Sequence, residues 1–120
     1  MPYHYYDKLV QKSLIFRFAF EYTDKNRTDF KKYSDFENFN KHFEITDVLF
    51  EEFITFGEKN GVTKDIEGIE YSKIKINTLL RAYIGRNLFD NEGFYPIYLS
   101  IDDTFNEAIS SFSNTNNKIN

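Results

Sequence analysis

The stretch KDIEGIEYSKIKINTLLRAYIGRNLFDNEGFYPIYL, Lys64–Leu99, decides the fold. Within it Ile69, Ile76, Leu79, Leu80, Tyr83, Ile84 and Leu88 recur at helical intervals, as on a helix with one buried face. Lys73, Lys75, Arg81 and Arg86 fall between them, where such a helix is expected to meet water. Asp65 is placed to cap the first turn with a side-chain oxygen. A continuous helix over 65–99 would be about 50 Å long, whereas a compact chain of this size has a radius of gyration of only about 14 Å. The helix is therefore expected to kink or stop between Asp90 and Pro96. Pro96 has no N–H to give the carbonyl of Glu92, and it biases Tyr95 away from helical geometry.

Upstream, Tyr3 to about Asn26 reads as one helix. Leu9, Val10, Leu14, Ile15, Phe16, Phe18, Ala19, Phe20 and Tyr22 make it apolar on nearly every side, so burial on more than one face is expected. The alternation Phe16, Phe18, Phe20, Tyr22 also fits a strand. The length of the pattern and the polar run Asp7, Lys8, Gln11, Lys12 favour helix. Asn26–Asp29 reads as a turn, and residues 28–33 as a separate helical turn. Ser34 with Glu37 forms a capping box ahead of Phe36, Phe39 and Phe43. Thr46 caps a further helix, with Asp47 in its first turn and Leu49, Phe50, Phe53, Ile54 and Phe56 on its buried face. Asn60-Gly61 ends it, because glycine relaxes into the left-handed conformation that closes a helix. Glu21–Lys25 and Glu37–Lys41 have the spacing of helical ion pairs.

Downstream, Asp102-Asp103 is read as the cap of a last helix bearing Phe105, Ala108, Ile109 and Phe112 on one face. Residues 113–120 are read as a polar, disordered tail. The expected architecture is all-α: a small bundle of about four to five helices organised around one long, kinked helix, about 65–99. Residues 3–112 form a single domain in this reading, with no repeat and no internal linker.

The chain has 120 residues, 14 Phe, 9 Tyr, no Trp and no Cys. So many rings can build most of a small core, and packing such a core is the favoured reading of them; rings left at the surface would be a mild sign of a docking face. The net charge of −4 is divided evenly between the two halves of the chain. No basic stripe is present to displace counterions from nucleic acid, and Lys25, Arg27, Lys31 and Lys32 are interrupted by Asp29. Without cysteine there is no disulfide and no thiolate chemistry. No apolar run reaches the roughly 18 residues of a membrane span, and no signal peptide opens the chain. Met1-Pro2 reads equally as a start or as the boundary of a larger protein.

Nucleophilic catalysis needs a nucleophile and a base within reach. His4 and His42 flank no motif, and the serines fall at caps, on helix surfaces or in the tail; Ser13 lies one turn before Arg17 on what reads as a buried helix. There is no Cys/His spacing for zinc. Asp102, Asp103, Asn106 and Glu107 lack the alternation of a calcium loop and read as a cap. Neither glycine-rich phosphate motif occurs, and Glu51 and Glu52 are expected to point to different sides of their helix. No catalytic, cofactor-binding or metal-ligating residue is therefore assigned, and no cofactor or small-molecule ligand is expected.

Four segments carry a family resemblance: S-L-I-F-R-F-A-F-E-Y (Ser13–Tyr22), F-E-I-T-D-V-L-F-E-E-F (Phe43–Phe53), I-x-x-L-L-R-A-Y-I-G-R-N-L-F (Ile76–Phe89) and D-x-x-F-N-E-A-I (Asp102–Ile109). Together, over about residues 3–112, they resemble the C-terminal helical region of the carboxy-terminal processing (tail-specific) peptidases of family S41, in the form found in Bacteroidetes-type bacteria. The resemblance implies a parent serine-type peptidase with a PDZ-like domain and a Ser/Lys core, acting in the periplasm or cell envelope. None of the catalytic or PDZ motifs occurs here, so no catalytic residue carries over. The implied role is a non-catalytic accessory domain that packs on or orients the protease core or mediates assembly. Its partners would be the protease and PDZ-like domains of its own parent chain, with self-association as a further route. The alternative is a stand-alone helical protein-protein interaction module.

Overall fold

The structure, a computed structural model, describes residues 3–99. It is all-α: α1 (Tyr3–Gln11), α2 (Leu14–Lys25), the single turn α3 (Arg27–Phe30), α4 (Phe36–His42), α5 (Asp47–Lys59) and α6 (Ile66–Phe89). A 3-10 turn, Asp90–Gly93, follows α6, and residues 95–99 are helical again. Among the described residues there is no strand. The last helix and the tail read from the sequence lie outside the described residues.

The long helix is where its periodicity places it. Asp65 Oδ1 accepts from the Gly68 N–H at 3.1 Å, and Ile69, Ile76, Leu79, Leu80 and Ile84 are buried, with Tyr83 and Leu88 half-buried. Its end is sharper than the proline alone required. α6 stops at Phe89, and Asp90 adopts φ 58°, ψ −147°, a region that an L-residue enters at a cost of about 1–3 kcal/mol.

What holds that reversal is a glycine pair. A Cβ on Gly85 would collide with the Gly93 carbonyl oxygen, and a Cβ on Gly93 with the Gly85 carbonyl oxygen. The segment after the turn therefore comes back against α6 with backbone on backbone. Phe94 then stacks on Tyr98 at 5.1 Å and meets Tyr83 at 5.5 Å, while Ile97 is buried.

The single N-terminal helix expected over 3–26 is divided. Ser13 sits in the left-handed region, φ 57°, ψ 32°, and separates α1 from α2. Ser13 is thus an exposed joint, and Arg17 is likewise exposed, not part of a buried surface. The kink lets both helices follow α6 in the same direction. Lys75 lies over Tyr6 at 4.9 Å, Phe16 meets Tyr83 at 5.4 Å, and Asn87 Nδ2 donates to Thr23 Oγ1 at 3.3 Å. Thr23 is fully buried and its hydroxyl also donates to the Ala19 carbonyl at 2.7 Å, so both of its polar roles are filled. The apolar surplus of α2 is only partly enclosed: Phe18 is buried, whereas Phe16 and Phe20 remain exposed.

Two helix starts were legible in kind but not both in place. Thr46 Oγ1 accepts from the Leu49 N–H at 3.1 Å, as expected. The cap of α4 is Asp35, whose Oδ1 accepts from the Asn38 N–H at 2.8 Å, and not Ser34. A carboxylate one residue closer to the helix adds charge at the positive end of the dipole. α5 closes with a complete Schellman motif: the Val62 N–H donates to the Gly57 carbonyl at 2.9 Å and the Gly61 N–H to that of Glu58 at 3.2 Å, with Gly61 at φ 94°.

The aromatic residues form two groups. The inner group centres on Phe39, which is fully buried, stacks on Phe43 at 4.9 Å and touches Phe30, Tyr33, Phe36 and Phe89. Burying one such ring is worth about 1.5–3 kcal/mol. α4 is latched to α6 by Arg81, whose Nε donates to the Phe43 carbonyl at 3.2 Å and whose Nη2 donates to the carbonyl and Oδ1 of Asn40 at 3.0 and 2.7 Å. Arg81 is therefore half-buried rather than fully open to water: burial lowers its pKa, and Glu44 opposes that shift. The outer group, Phe16, Tyr83, Phe94, Tyr95 and Tyr98, runs over the returning segment.

Candidate functional site

A broad concavity lies between α2 and α5. These helices run against each other: Arg17 Nη2 reaches Asn60 Oδ1 at 3.5 Å near one end, and Phe18 meets Phe53 and Phe56 at 5.4 Å further along. Because both are long and meet through rings at their centres, they leave a trough along the outside, of about 900 Å³. Its apolar floor is Phe18, Tyr22 and Phe56, and Val48 stands at its border 70% exposed.

Its polar lining is mainly acidic: Glu21, Asp47, Glu51 and Glu52 against Lys25 and Lys59. Glu51 and Glu52 both border the trough, which is wide enough to span adjacent positions of α5, and Glu51 also borders the gap toward α6. Tyr22 shows the consequence of this environment. Its phenol pKa is raised, first by burial, then by the charges of Glu52 and Asp29 and by Tyr33. Lys73 draws toward Asp47 at 3.9 Å and lies over Phe50 at 5.2 Å, so one carboxylate of the group is already partly neutralised from α6.

The residues that line the trough offer contact surface and charge. His4 is exposed on α1, and His42 is exposed at the end of α4 with Nδ1 3.0 Å from the Asn38 carbonyl oxygen. Neither lines the trough. Ser72 is buried in α6, unlike the surface or cap position expected of the serines. Among the described residues no group of three or more His, Cys, Asp or Glu side chains could hold a metal ion, and no helix is long and apolar enough to cross a membrane. Asp102, Asp103, Asn106 and Glu107 lie outside the described residues.

The sequence could not place this trough. Periodicity reports that a residue is buried, not which helix covers it, and α2 and α5 are more than twenty residues apart along the chain. The signal that was available is the surplus of rings on α2 together with adjacent carboxylates on α5.

No curated protein and no solved structure matches this chain. A family model matches residues 5–90, from α1 to the strained residue that ends α6. The chain therefore belongs to that family, DUF8443, a family of unknown function.

Proposed function

We propose that this chain is a non-catalytic helical docking module whose α2/α5 trough receives a basic, amphipathic segment of a protein partner. The observation that carries the reading is the pairing of an aromatic floor with a rim of four carboxylates and two lysines. Rings supply buried contact area at low entropic cost, and an acidic rim steers and orients a basic partner. The test uses a synthetic Leu/Lys amphipathic peptide and its Leu/Glu counterpart, followed by NMR on the labelled protein. Salt-sensitive shifts at Val48, Glu52 and Phe56 with the basic peptide alone support it. Equal response to both peptides, or shifts confined to other helices, overturns it.

A narrower reading makes the partner the protease core and PDZ-like domain of an envelope serine peptidase of family S41, with this chain as its accessory domain. Its support is the sequence resemblance, and the described part of those segments supplies packing residues such as Leu14, Phe18, Phe53, Leu80 and Ile84. These residues are what any core of this shape needs, so they argue for a shared helical architecture more than for a shared partner. Sequencing the DNA upstream of Met1 separates the two: an open frame encoding the protease core supports the narrower reading, and an in-frame stop removes it.

A further inference from the structure

We infer that the pocket between α4 and the middle of α6 binds a primary carboxamide, the side-chain end of glutamine or asparagine. This inference is independent of the trough, with which the pocket shares no residue. The pocket has a volume of about 390 Å³, and Asn77, Thr78 and Arg81 form one wall of it. These three lie on one face of α6, because positions three and four apart are neighbours on a helix. The facing wall comes from the end of α4 and the residues after it. There Lys41 and Glu44 offset each other in charge, beside the apolar Phe43 and Ile45.

Each polar group on the α6 wall has hydrogen-bonding capacity left over. Arg81 uses Nε and Nη2 on the Phe43 carbonyl and on Asn40, so the two N–H bonds of Nη1 have no acceptor among the described residues. Thr78 gives its one hydroxyl hydrogen to the Ile74 carbonyl at 2.8 Å, which leaves its oxygen to accept. Asn77 Oδ1 is buried with no hydrogen-bond partner among the described residues, and an acceptor left in that state is costly. Turning the Asn77 amide about its terminal bond toward the pocket breaks no hydrogen bond of that oxygen. The unmet demand is thus one cationic donor and two acceptors on a single wall. A carboxylate would serve Arg81 but leave the Asn77 and Thr78 oxygens facing another acceptor. An ammonium group would serve those oxygens but face the charge of Arg81. A primary carboxamide serves all three: its C=O accepts from Arg81 Nη1, and its NH2 donates to Asn77 Oδ1 and Thr78 Oγ1. A trans secondary amide holds its C=O and N–H on opposite edges, so it cannot turn both to one wall. Phe43 and Ile45 are placed to meet the methylene stem.

The test is an NMR titration of the labelled protein with the capped residue N-acetyl-glutamine N-methylamide. A ligand of this size is expected to bind with a Kd of about 1 mM. Saturable shifts should appear at Asn77, Thr78 and Phe43. Binding should be at least about tenfold weaker for the glutamate analogue and for the analogue methylated on the side-chain nitrogen, since each leaves polar groups of the pocket unpaired. Free glutamine distinguishes the source of the group. If it binds as well as the capped residue, the site takes the free amino acid; if only the capped residue binds, the site takes a side chain within a protein. Either result supports the inference. Asn77→Leu should remove the response, with unchanged signals of Tyr83 and Phe94 showing that the fold persists, and Thr78→Val should weaken it severalfold. Equal responses to the glutamine and glutamate forms, binding that survives Asn77→Leu, or no saturable shift in the unsubstituted protein overturns the inference.

Discussion

The two reversals that bracket α6 solve the same problem by different means. Before α6, the chain turns at Gly61, where φ is 94°, both Schellman hydrogen bonds are made, and Asp65 then caps the next helix. After α6, it turns at Asp90, a non-glycine residue at φ 58°, ψ −147°, and the glycines stand elsewhere, at 85 and 93, where two backbones touch. The first turn is dictated by the residues in it. The second is imposed by the packing beyond it, and Asp90 bears the strain.

The largest effect belongs between the two reversals and sets the scale for both. Leu80 is fully buried, so Leu80→Ala is expected to cost about 2–5 kcal/mol in denaturant unfolding. Leu88, half-buried, should cost less; equal losses would mean that the faces of α6 are wrongly divided. Gly85→Ala comes next, at about 1–3 kcal/mol, because the methyl group meets backbone that cannot rotate away. Its signature should be local: NMR contacts between Tyr83 and Phe94 are lost while those of Phe39 remain. Gly61→Ala should cost about 1–2 kcal/mol, the penalty of a left-handed alanine, with no change around Phe94. Asp90→Gly should go the other way and stabilise by about 1 kcal/mol, by releasing the strain. A loss there would show that the Asp90 side chain has a task of its own.

Alkaline titration probes both reversals together without a mutation. Tyr5 and Tyr6 each have a pKa raised to about 12, first by burial; Glu58, Asp65 and Glu51 add to it for Tyr5, and Tyr83, Tyr98 and Asp7 for Tyr6. Both groups are neutral in the folded chain at a pH where the unfolded chain ionises. Their stabilising contribution is therefore complete below pH 10 and lost as pH rises to about 12. Thermal melts across that window should fall steadily. Tyr5→Phe should make the fall shallower at little cost at neutral pH, since the Tyr5 hydroxyl is buried with no hydrogen-bond partner among the described residues.

What could be read from the chain follows the same division. Thr46, Asp65 and Gly61 act on atoms within a few residues of themselves, and the sequence located all three. Ser13 could not be found this way, because nothing in its neighbourhood asks a serine for a positive φ; the demand comes from two helices both following α6. The cap of α4 fell on one of two adjacent residues of the right type, and only geometry chose Asp35 over Ser34. The break after α6 was expected between Asp90 and Pro96 and falls at Asp90–Phe94. Tyr95 and Pro96 are themselves helical, however, so the proline does not take Tyr95 out of helical geometry. The part played by Gly85 was not visible, since its partner lies across the turn. The trough was least legible of all: its floor and its rim come from helices that meet only in the folded chain.

The Arg81 latch has a consequence for how this fold tolerates change. Its guanidinium grips two main-chain carbonyls, of Asn40 and Phe43, and a carbonyl is present whatever side chain its residue bears. One half of the contact is therefore blind to sequence and the other half is not. Residue 40 can drift and still be held, at the loss of a single side-chain hydrogen bond, whereas lysine at 81 would lose the fork that spans both carbonyls. Variation across α4 is thus licensed by a single residue on another helix.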